Sequence, residues 1–220
     1  MKKVLLVIPE QSYKSNDFVL AAKRLKIPFF IITDSEQVSE KLSDNIIVSD
    51  FSKDITQIVL DKLIDITHVL PVDHSSLVYA AKLVDLLNAK GNSIYSVNLA
   101  MDKYKSREIF NEITEVKIKN KYVNNMDDVD EFVTKYKLGV LKPTKGTASN
   151  RVIKVTNQNK KDTLIKNIIK DCKKNELIIE EFVEGNEYAY EGMLINSELH
   201  KFVVFELSLI HISEPTRRRG

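Results

Sequence analysis

Apolar residues along this chain fall in blocks that switch between strand and helix patterns. Val4–Ile8 is an unbroken apolar run, the pattern of a strand buried on both faces. Phe18, Ala21, Ala22 and Leu25 then lie on one side of a predicted helix that Asn16 or Asp17 can cap. Pro28–Ile32 and Asn45–Val48 predict a second and a third strand. Ile55, Ile58, Val59, Leu63 and Ile64 recur at helical spacing behind Ser52 or Asp54. Thr67–Val72 predicts a fourth strand, and Asp73 is placed to cap an apolar helix from Ser75 to about Leu87. Strands alternating with helices predict a parallel α/β sheet for this part of the chain.

Gly91-Asn92-Ser93 marks a boundary, and the pattern changes beyond it. A charged helix is predicted from about Met101 to Ile113, followed by a mixed strand region over Val116–Asn124 and a helix opened by Asp127 or Asp128. Gly139–Pro143 predicts a strand, Thr144–Asn150 a polar loop and Arg151–Val155 another strand. Lys161–Cys172 predicts a helix with Leu164, Ile165, Ile168 and Ile169 as its buried face. Leu177–Val183 is a further strand; Tyr188–Ile195 and Leu199–Phe205 read as an antiparallel pair turning at Asn196-Ser197. This second part is α+β. The sequence contains no internal repeat and no low-complexity segment.

Composition narrows the classes. The chain has 220 residues, 43% hydrophobic and 29% charged, ordinary for a soluble globular protein. A formal charge of +2 excludes a strongly basic nucleic-acid binder on bulk charge. No apolar run reaches the roughly 18 residues that would span a bilayer. The opening Met1–Ile8 is too soon ended by Pro9, Glu10 and Gln11 to serve as a signal peptide. The single cysteine, Cys172, excludes an internal disulfide and suits a reducing, cytoplasmic compartment. Residues 207–217, Leu-Ser-Leu-Ile-His-Ile-Ser-Glu-Pro-Thr-Arg, resemble the translation of a transposase sequencing adapter. Residues 207–220 are therefore expected to be a non-native tail, and 1–206 the front of a longer protein. Setting the tail aside removes Arg217, Arg218, Arg219 and Glu214, and with them the entire positive excess.

Candidate chemistry is confined to the second part. The turn after the first strand, Pro9–Asn16, contains no glycine, so a dinucleotide fingerprint is absent. His68 and His74 have no partners at metal-ligand spacing. Lys103 opens a predicted helix, and Lys142 is delivered by an apolar strand to the polar loop containing Thr144, Gly146, Thr147 and Ser149. Lysines are point charges suited to phosphate, and two from different elements can converge on one phosphate chain. Loop N–H groups and hydroxyls can cover such a chain. Glu180-Glu181-Phe182-Val183-Glu184-Gly185-Asn186-Glu187 ends a strand and enters a turn.

These features, in this order and at these separations, resemble the ATP-grasp superfamily of carboxylate–amine ligases. Leu70–Asp73, the alanine-containing helix after it and Asn92-Ser93 resemble the domain that precedes the nucleotide site in those enzymes. The resemblance covers residues 1–206 and implies a Rossmann-like pre-ATP-grasp domain (1–98) followed by an incomplete α+β ATP-grasp domain (99–206). It implies that Lys103 and Lys142 hold ATP phosphates and that the loop with Thr144, Gly146, Thr147 and Ser149 covers them, although the family loop is richer in glycine. It implies an adenine hinge at Glu180, Glu181, Phe182 and Val183, with the Glu181 carbonyl and Val183 N–H on the base edge and Glu180 near the exocyclic amine. Glu187 would accept from the ribose hydroxyls, as a carboxylate does well. The implied parent enzyme forms an acyl phosphate for attack by an amine, using ATP and Mg2+, with small-molecule carboxylate and amine partners and room for a homodimer. Its metal ligands and catalytic arginine are expected downstream, so residues 1–206 alone are expected to be inactive. A non-catalytic nucleotide-binding or regulatory module is the alternative.

Overall fold

The computed structural model describes residues 3–35, 45–146, 151–173, 176–195 and 197–207. The predicted loop positions Thr147 and Ser149, the turn residue Asn196 and residues 208–220 of the predicted tail lie outside these.

The first unit is a parallel four-stranded sheet in the order β3-β2-β1-β4, with β1 Val4–Ile8, β2 Phe29–Thr33, β3 Ile46–Val48 and β4 His68–Pro71. Successive side chains of a strand point to opposite faces. Leu5 and Val7 accordingly join Ile32, Val69 and Leu83 in one buried cluster, while Leu6 and Ile8 join Val19, Ile31 and Val72 in another. Burial on both faces explains why the strands read as continuous apolar runs. The helices are α1 Ser15–Arg24, α2 Gln57–Lys62 and α3 Leu77–Leu86, with a 3-10 turn His74–Ser76 leading into α3. Asp73 does cap that turn, its carboxylate accepting from the Ser75 N–H.

Several local expectations are corrected. The N-cap of α1 is Lys14, with no side-chain cap, and Asp17 sits in the first turn beside the positive end of the helix. Leu25 ends α1 exposed, and the buried positions are Val19 and Ala22. The helix expected from Ser52 or Asp54 starts only at Gln57, because the Asp50 carboxylate draws the Ser52 N–H and hydroxyl into a turn. Ile58 and Ile64 are exposed, while Val59 and Leu63 face the core.

Helix α4, Ile94–Ala100, was not expected from the apolar pattern; it opens where Ser93 accepts from the Ser96 N–H. It packs against both α3 and α5, Lys103–Ile113, and so joins the two units. The second unit is an antiparallel sheet in the order β5-β8-β6-β7, with β5 Asn120–Val123, β6 Leu138–Pro143, β7 Ile153–Thr156 and β8 Leu177–Glu181. Helix α6, Met126–Tyr136, is capped by Asn125 and not by Asp127 or Asp128; Asp128 completes a reciprocal capping box. Helix α7 is Thr163–Asp171; Ile165, Ile168 and Ile169 are buried, but Leu164 faces out at 61% exposure.

The core of this unit lies on one face of the sheet, where Val123, Leu141, Val155, Leu177 and Ile179 meet Val129, Phe132 and Val133 of α6 and the isoleucines of α7. Gly139 permits this closeness: a Cβ there would come within 2.7 Å of the Ile179 side chain. The last elements, β9 Tyr188–Ile195 and β10 Glu198–Glu206, form a separate antiparallel hairpin whose residues are nearly all exposed, Leu194 and Phe202 among them.

Candidate nucleotide site

The face of the second sheet turned away from α6 and α7 carries charged side chains. Directly opposed residues of an antiparallel pair share a face. Glu180 of β8 stands opposite Val140 of β6, which stands opposite Lys154 of β7; Lys142 lies two residues further along β6, on the same face. Period-two alternation thus sends Leu141 and Ile179 into the core and Lys142 and Glu180 to the other side.

Glu180 is 5% exposed, and a carboxylate so buried demands partners. It has two. The Lys142 ammonium donates to its Oε2, and the Arg107 Nε donates to its Oε1 at 3.2 Å. Arg107 comes from α5, which lies across this face. There Tyr104 stacks on Tyr122 of β5 with ring centroids 3.7 Å apart, and Asn120 donates to Glu108 at 3.1 Å. The second cation on Glu180 was missed by sequence reasoning. A signal was present, since Arg107 follows Lys103 by four residues and shares its helix face.

Lys103 opens α5 beside the loop after β6. Its N–H donates to the Thr144 carbonyl at 2.8 Å and its ammonium to the Gly146 carbonyl, also at 2.8 Å. Asp102 caps the helix, accepting from the N–H groups of Tyr104 and Lys105 at 3.1 and 3.2 Å. Burial, together with the nearby charge of Lys142, lowers the Lys103 pKa from its ordinary value, while Glu180 and Asp102 offset part of that. Lys142 is close enough to disfavour the charge of Lys103, and an anion between them would relieve that repulsion.

Thr144 is 4% exposed, and its N–H and hydroxyl are both turned to the Glu176 carbonyl, at 2.8 and 3.3 Å. It braces the start of the loop. Gly146 takes a φ of +110°, a conformation an L side chain rarely adopts, with open space where a Cβ would be. A cavity of about 470 Å³ adjoins this segment, lined by Asp102, Lys105, Tyr122, Pro143, Thr144, Lys145, Arg151, Cys172 and Glu176. Its charged lining is mixed, with Lys105, Lys145 and Arg151 beside Asp102 and Glu176.

Beyond Glu181 the ladder stops. The Glu181 N–H donates to the Lys119 carbonyl at 2.8 Å, but the strand predicted through Val183 has no further sheet partner among the described residues. Phe182 lies under the Lys154 ammonium, which is 3.8 Å from the ring centroid, and Val183 is 62% exposed. Lys154 is a second residue that sequence reasoning passed over; its place opposite Val140 could have been found from strand alternation. Glu187 lies at the exposed start of the hairpin, and the structure places its carboxylate in no ion pair or hydrogen bond with the Glu180 cluster. Gly185, with φ +153°, makes the turn between them.

Among the described residues, no three His, Cys, Asp or Glu side chains gather as metal ligands, and both oxygens of Glu180 already accept from cations. These residues do not fit a magnesium site. No helix among the described residues is long and apolar enough to cross a membrane.

The ATP-grasp domain family matches residues 100–220, more than half of the chain, and the protein belongs to that family. No curated protein matches the sequence. Among solved structures, the L-amino acid ligase from Bacillus licheniformis superposes with a TM-score of 0.74 at 15% identity, over 94% of this chain and 52% of that one. The N5-carboxyaminoimidazole synthetase from Staphylococcus aureus, complexed with ADP, gives 0.73 at 11% identity, over 93% and 54%. The N5-carboxyaminoimidazole ribonucleotide synthetase from Thermotoga maritima gives 0.68 at 20% identity, over 94% and 54%. These likenesses extend the shared fold to the first unit. The chain spans about half the length of the solved structures it matches.

Proposed function

We propose that this chain carries the ATP-gripping part of a ligase that activates a carboxylate as an acyl phosphate for attack by an amine. The observation that carries this reading is the convergence of Lys142 and Arg107 on buried Glu180, with Lys103 at the neighbouring loop. The Lys103 ammonium is held by a neutral carbonyl, so a phosphate oxygen can take that carbonyl's place and gain a charge-assisted hydrogen bond. Lys142 can reach the phosphate chain from the other side, while the backbone of Phe182 and Val183, beyond the last ladder pair at Glu181, is available to a base edge. Phe182 offers an apolar surface there. Glu187 is assigned to the ribose hydroxyls, Gly146 with Thr147 and Ser149 to cover over the phosphates, and Thr144 to the support of that cover.

The ADP complex of a solved relative agrees with nucleotide binding. We divide the chain near residue 98 into a preceding domain and the nucleotide domain. Magnesium ligands and a transition-state arginine are expected from the part of the relatives that this chain does not span, so residues 1–206 are expected to bind ATP without ligation. A cytoplasmic setting, small-molecule acid and amine substrates and a homodimeric parent complete the reading. The test is thermal unfolding with and without millimolar ATP. A rise in Tm that vanishes in Lys142→Ala supports the reading. The absence of any rise in the folded, unsubstituted chain overturns it.

A further inference from the structure

The two lysines of the site are held by different kinds of group. Lys103 gives its ammonium to the Gly146 carbonyl, a neutral acceptor on an exposed loop. Lys142 gives its ammonium to Glu180, a carboxylate whose side chain is 7% exposed. A phosphate oxygen that draws Lys103 away leaves behind a carbonyl that water can satisfy. A phosphate oxygen that draws Lys142 away leaves behind a buried negative charge, which is strongly unfavourable unless another cation stays with it. Arg107 is that cation. Its Nε donates to the other oxygen of Glu180 at 3.2 Å, and it comes from α5, not from the strand that carries Lys142. A guanidinium stays charged, whereas the lysine ammonium sits on a flexible four-carbon stem that can turn to a new acceptor.

We propose that Arg107 is a positioning residue that lets Lys142 exchange between Glu180 and phosphate. Glu180 competes with phosphate for Lys142, and Arg107, by holding the carboxylate's charge, keeps that competition weak enough for phosphate to win. This rests on the nucleotide reading above and adds to it an internal counter-anion and the residue that tunes it. Arg107 acts here through Glu180, so its worth to phosphate binding depends on the carboxylate being present. A residue that served only to hold α5 on the sheet, or only to add positive charge, would matter equally with and without that carboxylate.

The experiment is a double-mutant cycle read with tripolyphosphate, which carries a phosphate chain and no base. Dissociation constants are measured by calorimetry on the full chain, on Arg107→Gln, on Glu180→Gln and on the variant with both changes. With Glu180 present, Arg107→Gln is expected to weaken binding at least about 10-fold, because Lys142 becomes the one cation on the carboxylate. Glu180→Gln alone is expected to tighten binding about 3-fold or more, since a competitor for Lys142 is gone. With Glu180→Gln in place, Arg107→Gln is expected to cost less than about 3-fold. The double variant has the net charge of the unsubstituted chain, so total charge does not account for this pattern. Arg107→Lys, which keeps the charge, is expected to stay within about 3-fold of the unsubstituted chain. An equal cost of Arg107→Gln in both backgrounds overturns the proposal and leaves the phosphate site standing. Absence of tripolyphosphate binding in all of these chains overturns the site and the proposal together. Should Arg107→Gln not fold alone, Glu180→Gln decides: no tightening overturns the proposal.

Discussion

The two sheets of this protein are built on opposite plans. In the first, both faces are covered by apolar clusters, and its buried polar residues, Thr33 and Ser76, are uncharged. In the second, one face is covered by α6 and α7, and the other holds Glu180 with Lys142 and Lys154. The buried charged residues of the described chain, Asp102 and Glu180, both belong to this second region. A sheet enclosed on both sides has only its strand ends for chemistry. A sheet with one face not filled by an apolar core can present a row of side chains from several strands to a ligand. In this molecule that difference separates the part that contributes mainly core from the part that contributes charge placement.

The sharpest way to break this comparison is to damage each region and ask what the other loses. Leu83, fully buried in the first unit, changed to Ala is expected to cost about 2–5 kcal/mol of stability. ATP affinity measured below the unfolding transition should change less than about 2-fold, if charge placement resides in the second unit. Lys142→Ala should do the reverse. It leaves Glu180 buried with Arg107 as its one cation, so about 1–3 kcal/mol of stability is expected to go, and ATP affinity should fall at least about 10-fold. Urea unfolding and calorimetry on the same samples read both quantities. Equal loss of affinity in the two variants would dissolve the division.

Asp102→Ala removes the cap that accepts from Tyr104 and Lys105, and should cost about 0.5–2 kcal/mol. Because the cap lies next to Lys103, ATP affinity should weaken with it. The counterpart Asp73→Ala in the first unit should cost stability alone. Lys103 supplies a pH prediction. Its lowered pKa means that it gives up its proton at a lower pH than an ordinary lysine. ATP affinity should therefore start to decline on the alkaline side earlier than an unperturbed lysine would cause, and Lys103→Arg should flatten that decline.

The smallest effect concerns Asp128. Burial pushes its pKa up, but the Asn124 N–H and the Lys121 ammonium outweigh this, and the net shift is downward. A lowered carboxylate contributes stability that is full above its unfolded pKa of about 3.9 and disappears as pH falls through the folded value. Asp128→Asn should therefore flatten the acid limb of the second unit, as read by urea midpoints between about pH 2 and 6. Asp50, lowered by its hydrogen bonds to Ser52, is exposed and should give a weaker acid limb in the first unit.

How much of this was legible in the sequence depended on whether contacts were local. The strands of the first sheet were readable as Val4–Ile8, Pro28–Ile32 and their neighbours, within a residue or so of the observed bounds, because burial on both faces makes them continuous apolar runs. The ordered set Lys103, Lys142 and Glu180–Val183 pointed to the ATP-grasp family, to which the chain does belong. Local competition defeated finer readings: the Asp50 turn shortened α2, and Asn125 took the cap expected of its neighbours. Leu164 was counted with the buried face of α7 because one apolar position more or less barely alters a helical pattern.

By itself, then, the sequence determined the order of most elements, the change from parallel α/β to α+β near Gly91, and the residue types fit to hold phosphate. Only the tertiary structure decided which of those residues meet. Arg107 and Glu180 are joined by a helix laid across a sheet, and Lys154 reaches Phe182 through the pairing of β7 with β6. No pattern along the chain encodes such meetings directly. They follow from strand register, which selects the face each side chain occupies, and from the need of a buried carboxylate for cations wherever the fold can supply them.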